Sequence, residues 1–347
     1  MSNSIGESRG RQQGRLRAKV IEQIKGRRAG YLLGAGASYL DGRGFPLADG
    51  LWTAIKGGMP LEDQRAIEER MNPAGLSLEA TLNLLALGNG GGDTLRMRVI
   101  DAIGTVFALL NPPLEEYSAF IRGLGLRREP RIPVFSLNYD CLIELAADAT
   151  GSRLIDGFGG VFEASFRSSQ FLDALGQYEM RRVRRVFVAH PGVINLYKLH
   201  GSLGWHADDQ GRITRMRPEL PCPAGFRRLM VPPQHRKAAD TGYTPYATLW
   251  SEFRAYLAND TPRLLNRLVC AGYGFSDGHV NAVIDAALQR EHFTLVILAR
   301  VLSNEVFNKY AVNPRVILVT EGRSSLYGEQ GAGLAREWSF EWLSEEV

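Results

Sequence analysis

The chain has 347 residues, 45% hydrophobic and 22% charged, with a formal net charge of +4; that length supplies apolar area for one large domain or two moderate ones. No run approaches the roughly 18 apolar residues of a membrane helix, and the basic opening MSNSIGESRGRQQGRLR has no apolar stretch behind it, which argues against a secretory signal and for a cytoplasmic protein. The three scattered cysteines, Cys141, Cys222 and Cys270, exclude a disulfide framework and a four-cysteine zinc site.

Residues 1–12 are polar and rich in Gly, Ser and Arg, which predicts a disordered start. From Gln13 a helix is predicted, with Leu16, Val20, Ile21 and Ile24 on one face. Together these make a basic arm and helix over 1–28, carrying Arg9, Arg11, Arg15, Arg17, Lys19, Lys25, Arg27 and Arg28. AGYLLGAGAS (29–38) reads as a short buried strand running into a glycine turn, and it opens a domain that runs to 347. A stretch at about 50–128 is helical by pattern, interrupted at GNGGGD (88–93), and reads as an insertion. RIPVFSLNYD (131–140) is a strand that stops at a polar cluster; Cys141, Leu142, Leu145, Ala146 and Ala149 follow at helical spacing. Residues at about 150–190 form a second, irregular insertion ending in Arg181, Arg182, Arg184 and Arg185. RVFVAHPGVINLYKLHGSLGW (185–205) predicts a hairpin or strand pair ending at HGS, with Pro- and Gly-rich sequence to about 245 and a helix near 246–258.

The last hundred residues alternate strand and helix. RLVCAGYGF (267–275) is a buried strand, and Ser276 can cap a helix carrying Val280, Val283, Ile284, Ala287 and Leu288 on one stripe. FTLVILA (293–299) and RVILVT (315–320) are further strands with a helix between. This order predicts an α/β fold, a Rossmann-like parallel sheet covered by helices on both faces. The two arginine-rich clusters are either solvated faces or surfaces for nucleic acid or an acidic partner.

Four polar clusters fall at strand ends: GAGAS (34–38), LNYD (137–140), KLHGS (198–202) and AGYGFSDGHVN (271–281). In an open parallel sheet a ligand lies across the carboxyl ends of the strands, and a Gly-x-Gly turn lets a diphosphate approach the backbone. The first turn lacks the third glycine of the full dinucleotide fingerprint, and no acidic residue follows at the expected spacing, so a hydride-transfer dehydrogenase is not supported. A histidine side chain ordinarily titrates near neutrality, so His200 at such an end suits proton transfer. Asn138 and Asp140 either serve a ligand or cap the following helix. Trp205 and Trp250 read as core aromatics, and His279 as a packing or surface residue.

Taken in order, these segments resemble the sirtuin superfamily, above all its bacterial sirtuin-like branch, whose members degrade NAD in antiphage defence. The resemblance implies an NAD site built from Gly34, Ala35, Gly36, Ala37, Ser38 and Pro46, from Gly201 and Ser202, and from Gly272, Tyr273, Gly274, Phe275, Ser276, Asp277 and Asn281. It implies that Ala35, Gly36 and Ser38 hold the diphosphate and that Gly272, Tyr273, Gly274 and Ser276 border the adenosine half. It makes Asn138 the holder of the nicotinamide-side ribose and its water, Asp140 a neighbour of the nicotinamide, and His200 a base acting through a ribose hydroxyl. GRGFPLADGLW (42–52) keeps Pro46 but lacks the Phe-Arg pair of protein deacylases, no zinc module is present, and Asn138 and His200 lie unusually far apart. The implied activity is therefore hydrolysis of NAD+ to nicotinamide and ADP-ribose, with NAD+ as substrate and no metal. A protein deacylase or ADP-ribosyltransferase and a non-catalytic NAD- or ADP-ribose-binding subunit are the rivals. The branch also implies a homo-oligomer triggered in trans, for example by a HerA-type ATPase, with the basic arm and the helical insertion as contact surfaces; direct nucleic-acid binding stays open and membrane association is not expected.

Overall fold

A computed structural model describes residues 2–71, 78–87, 92–160, 164–173, 175–218, 222–230, 244–257 and 263–347. Its centre is a nine-stranded sheet in the order Glu329–Ala332, Arg323–Leu326, Val316–Val319, Thr294–Leu298, Arg267–Ala271, Ala29–Leu33, Ile132–Ser136, Ile194–Lys198 and Leu154–Ile155. Seven adjacent strands pair in parallel; at the Glu329 edge Arg323–Leu326 pairs antiparallel with Val316–Val319, and Glu329–Ala332 antiparallel with Arg323–Leu326. The expected parallel α/β sheet is therefore present, with an antiparallel edge added.

Alternation along each strand divides the interior in two. Tyr31, Leu33, Val134, Val269 and Val296 face one core, shared with the N-terminal helix, the helices between 48 and 125 and the C-terminal helix Phe340–Glu346. Leu32, Phe135, Leu268, Cys270 and Leu295 face the other, shared with helices Tyr246–Leu257, Gly278–Ala287 and Asn304–Ala311. Burial on both faces is why these strands read as unbroken apolar runs.

Several local expectations are corrected. The N-terminal helix runs from Ser2 to Lys25, so residues 2–12 are helical rather than disordered. Leu16, Val20 and Ile24 are buried as expected, each worth about 1.5–3 kcal/mol when removed from water. The arm's charge is partly matched within the chain, since Arg15 pairs with Glu329, Arg17 with Glu337 and Glu346, and Lys25 with Glu346.

Helices Ala48–Ile55, Leu61–Met71, Leu78–Leu87, Gly92–Leu109 and Glu115–Gly125 fill the region expected to be helical; residues 88–91 of its glycine-rich break lie outside the described residues. After Ile132–Ser136 comes helix Leu142–Thr150. Its buried face carries Ile143 and Ala147 beside Leu142 and Ala146, whereas Leu145 and Ala149 are exposed.

Residues 150–190 are more regular than expected. Leu154–Ile155 joins the main sheet, and Gly176–Arg181 pairs with Arg184–Ala189 in a separate hairpin whose tip holds the four arginines. The expected strand pair at 185–205 is not one hairpin. Ile194–Lys198 belongs to the main sheet, while Gly201–Asp208 enters a second, five-stranded sheet, with His200 at the junction.

The strand order sets the crevice. From Ala29–Leu33 the chain first builds outward through Ile132–Ser136 and Ile194–Lys198. It then crosses back to lay Arg267–Ala271 on the opposite flank of Ala29–Leu33. Such a reversal opens a cleft at the carboxyl ends of the two strands, and both Gly-x-Gly turns lie there.

Candidate active site

The two glycine turns brace each other before any ligand is considered. Gly34 N–H donates to Ala271 O at 3.0 Å and Gly36 N–H to Gly272 O at 2.8 Å. A methyl group at Gly272, where φ is +64°, would stand 2.1 Å from Ala37 N, and one at Gly36 would stand 2.8 Å from Gly272 Cα. These glycines are therefore required for turn-on-turn contact, whatever else they do. Gly272→Ala adds left-handed strain to overpacking and is expected to cost about 2–5 kcal/mol. Urea denaturation measures this, and a loss below about 1 kcal/mol would show that the turns can separate.

Beside the turns lies a cavity of about 540 Å³ that draws together the four polar clusters singled out for chemistry. Asn138 and Asp140, His200, and Asp277 with Tyr273 all reach its wall, as do Gly34, Ala35, Gly36 and Ser38. Pro46, Gly272, Gly274 and Ser276 border it too. Its other wall is apolar: Phe45 and Phe107 lie with ring centroids 4.8 Å apart, joined by Leu47 and Leu51.

Five expected site residues stand outside the lining. Ala37 is buried beneath the turn. Gly201, at φ +83°, packs where a methyl would meet Leu229 O at 2.3 Å. Ser202 is buried with its hydroxyl 3.4 Å from Cys141 Sγ. Phe275 stacks between Tyr273 and Tyr310, and Asn281 accepts from the Tyr273 hydroxyl at 2.8 Å while donating to Phe275 O at 2.9 Å. These residues shape the loops around the pocket rather than its surface.

Asn138 is oriented by bonds that use both amide hydrogens: Nδ2 donates to Gly34 O at 2.9 Å and to Ser38 Oγ at 2.8 Å. Oδ1 is thus the atom it presents to the pocket, an acceptor able to hold a water or hydroxyl by its hydrogen. Ser38, expected at the diphosphate, lines the pocket and is 2% exposed. Its hydroxyl donates to Asp140 Oδ2 at 2.7 Å and lies 2.8 Å from the Tyr117 hydroxyl. Burial, reinforced by the Asp140 carboxylate, raises the Tyr117 hydroxyl well above the usual phenol range. Tyr117 therefore stays protonated and donates, which leaves Ser38 accepting from Asn138 and Tyr117 and giving its one hydrogen to Asp140.

Asp140 Oδ1 accepts from Leu142 N–H at 3.1 Å, so this carboxylate both caps a helix and lines the site. Ser38→Ala removes a partner from three buried groups at once, whereas Tyr117→Phe removes one. The first is expected to cost about 2–5 kcal/mol and the second about 1 kcal/mol; calorimetric melting that ranks them the other way would refute the hub.

A buried cation underlies this cluster. Lys198, 1% exposed, donates to Glu144 Oε1 at 3.0 Å, to Tyr139 O at 3.4 Å and to Asp140 O. Burial opposes its charge, but Glu144, with Cys141 and Asp140, outweighs burial and raises the ammonium's pKa. Burial pushes the neighbouring Cys141 thiol up to about 12, which makes it an inert core thiol rather than a nucleophile.

His200 Nδ1 lies 3.2 Å from Leu137 O and Nε2 lies 3.1 Å from Asp277 Oδ2. Asp277, not Ser276, caps the following helix, accepting from His279 N and Val280 N; Ser276 is exposed, as is His279. Sequence reasoning missed Tyr117 and Phe107, which arrive from the helical region with no local signal. It also missed Arg300, which lines the pocket beyond Thr294–Leu298 and could have been found as the next strand's carboxyl end. Among the described residues no three His, Cys, Asp or Glu side chains are grouped to hold a metal ion, and no helix is long and apolar enough to cross a membrane.

A family model described as a SIR2-like domain matches residues 133–314. No curated protein matches the sequence. Among solved structures, a crystal structure of a Sir2 homologue in complex with NAD is similar with a TM-score of 0.46 at 14% identity, over 94% of this chain and 92% of that one. A Sir2 structure in complex with the inhibitor EX-527, 2'-O-acetyl-ADP-ribose and deacetylated p53 peptide gives a TM-score of 0.43 at 12% identity, over 94% and 95%. A further Sir2 enzyme gives 0.43 at 13% identity, over 95% of each chain.

Proposed function

The chain belongs to the SIR2-like domain family, and from that premise we propose that it hydrolyses NAD+ at the nicotinamide–ribose bond, giving nicotinamide, ADP-ribose and a proton. The observation that carries this reading is the meeting of Asn138 and His200, 62 positions apart in the sequence, in one pocket beside paired glycine turns. Nicotinamide in NAD+ is already cationic and leaves without an acid; the barrier is positive charge developing on the ribose carbon, as in other glycosyl transfers. Asn138 Oδ1 would accept a hydrogen from the incoming water or the ribose and so hold it in line. His200 would accept a proton from a ribose hydroxyl. The apolar wall of Phe45, Leu51 and Phe107 suits the nicotinamide or adenine ring, and Arg300 offers the diphosphate a guanidinium.

Purified protein mixed with NAD+ is expected to release nicotinamide and ADP-ribose in equal amounts, and His200→Ala to release neither. Turnover that persists in His200→Ala would remove the assigned base. Release that requires an acyl-lysine peptide would favour a deacylase, and tight NAD+ binding without product would favour a binding subunit.

We place this reaction in NAD depletion during antiphage defence, within a homo-oligomer triggered by a partner ATPase; the ordered motif set is what supports that placement. Nicotinamide and ADP-ribose should rise in cells after phage challenge. Deleting residues 2–12 probes the arm's part in assembly while sparing the buried Leu16, Val20 and Ile24, and an unchanged mass would take it out of the interface.

A further inference from the structure

His200 has an acceptor opposite each ring nitrogen: the Leu137 carbonyl at Nδ1 and Asp277 Oδ2 at Nε2. A neutral imidazole has one N–H and can donate to only one of them, whereas an imidazolium donates to both. His200 and Asp277 are buried, where a carboxylate set against a bare nitrogen lone pair is costly.

Asp277 is held in that position by its own loop. Oδ1 accepts from His279 N–H at 2.9 Å and from Val280 N–H at 3.4 Å. Its backbone N–H donates to the Tyr273 hydroxyl at 3.2 Å, and that hydroxyl donates on to Asn281 Oδ1. The cap fixes one carboxylate oxygen and delivers the other to the histidine.

We propose that Asp277 is a positioning residue that holds His200 as an imidazolium, bonded through both nitrogens, while the pocket is empty, and that a ribose hydroxyl of the entering substrate replaces it at Nε2. This rests on the reading above that His200 is the base. On exchange the Nε2 proton leaves to solvent, the Nδ1 hydrogen stays on Leu137 O, and the Nε2 lone pair becomes free to accept the hydroxyl proton. In a Ser-His-Asp triad the carboxylate sits at Nδ1 and leaves Nε2 for substrate; here it occupies the working nitrogen, so it restrains the base instead of activating it. The other charged or titratable groups lining the pocket are Asp49 on helix Ala48–Ile55, Tyr139 and Asp140 after Ile132–Ser136, Tyr273 on the late loop, and Arg300 after Thr294–Leu298.

Asp277→Asn tests this in the full-length protein, because an asparagine keeps an oxygen for the helix cap and can turn an N–H donor toward Nε2. Ring-nitrogen NMR without NAD, with His200 assigned by its loss in His200→Gln, is expected to show two protonated nitrogens in the wild type at a pH where free imidazole is neutral, and one in Asp277→Asn. Adding ADP-ribose to the wild type should convert the first spectrum into the second. In turnover, the acid limb of kcat/KM should move to lower pH by about 1–3 units in Asp277→Asn, since an opposing charge is removed; a merely structural cap would leave it in place. A bare Nε2 in the empty wild type, identical spectra for the two proteins, no response to ADP-ribose, or an unmoved limb overturns the proposal. The spectra need no catalysis, so the expected spectra without nicotinamide release would sink the hydrolase reading alone.

Discussion

Asn138→Ala is expected to lower nicotinamide release by about 10²–10³-fold, the usual loss when a preorganised dipole at a reacting centre is removed. The reason lies in how completely the side chain is aimed. Both amide hydrogens are spent on Gly34 O and Ser38 Oγ, so the carbonyl end cannot turn away from the pocket without breaking two hydrogen bonds. Folding should suffer less, by about 1–3 kcal/mol, because the groups left behind border a cavity that water can enter. Initial rates beside circular dichroism of the same samples separate the two effects. A folded variant that keeps turnover within about threefold of wild type would deny Asn138 any part in orienting the attacking water.

Lys198→Met should be the most damaging single change to stability, at about 3–5 kcal/mol, because it strips a buried carboxylate of its cation. Lys198 Nζ also ties down the Tyr139 and Asp140 carbonyl oxygens, so the loop carrying Asp140 loses its anchor together with Glu144. Burial already raises the Glu144 carboxyl against the opposing pull of the Lys198 ammonium, and removing Lys198 should raise it further. A carboxyl whose folded-state pKa is raised favours folding only while it is protonated, and that contribution is lost as pH rises through the folded-state pKa. The variant's deficit should therefore be greatest above the raised Glu144 pKa and shrink as pH falls toward the ordinary carboxylate range. Adding Glu144→Gln should recover much of the loss. Urea curves for the four proteins of this cycle supply the coupling, and a single-variant loss under about 1 kcal/mol would show that the pair anchors nothing.

Which parts of this were legible in advance follows from the range of the forces involved. Strands such as Leu32–Leu33 and Leu268–Cys270, buried on both faces, announce themselves as unbroken apolar runs, since burial is written into every residue type along them. The polar clusters that interrupt those runs at Ser38, Asn138, His200 and Asp277 marked the carboxyl edge of the sheet for the same reason, and all four line the pocket. Periodicity could not show which polar group bonds which. The bonds of Ser38 to Asn138 and Asp140, Tyr117 reaching it from 79 positions away, and Asp277 taking both the helix cap and the histidine are decided by contacts between distant segments. The same holds for the strand order that crosses back beside Ala29–Leu33. Local chemistry determines what each residue is able to bond or bury; only the closure of the chain into its sheet decides which partner stands within reach.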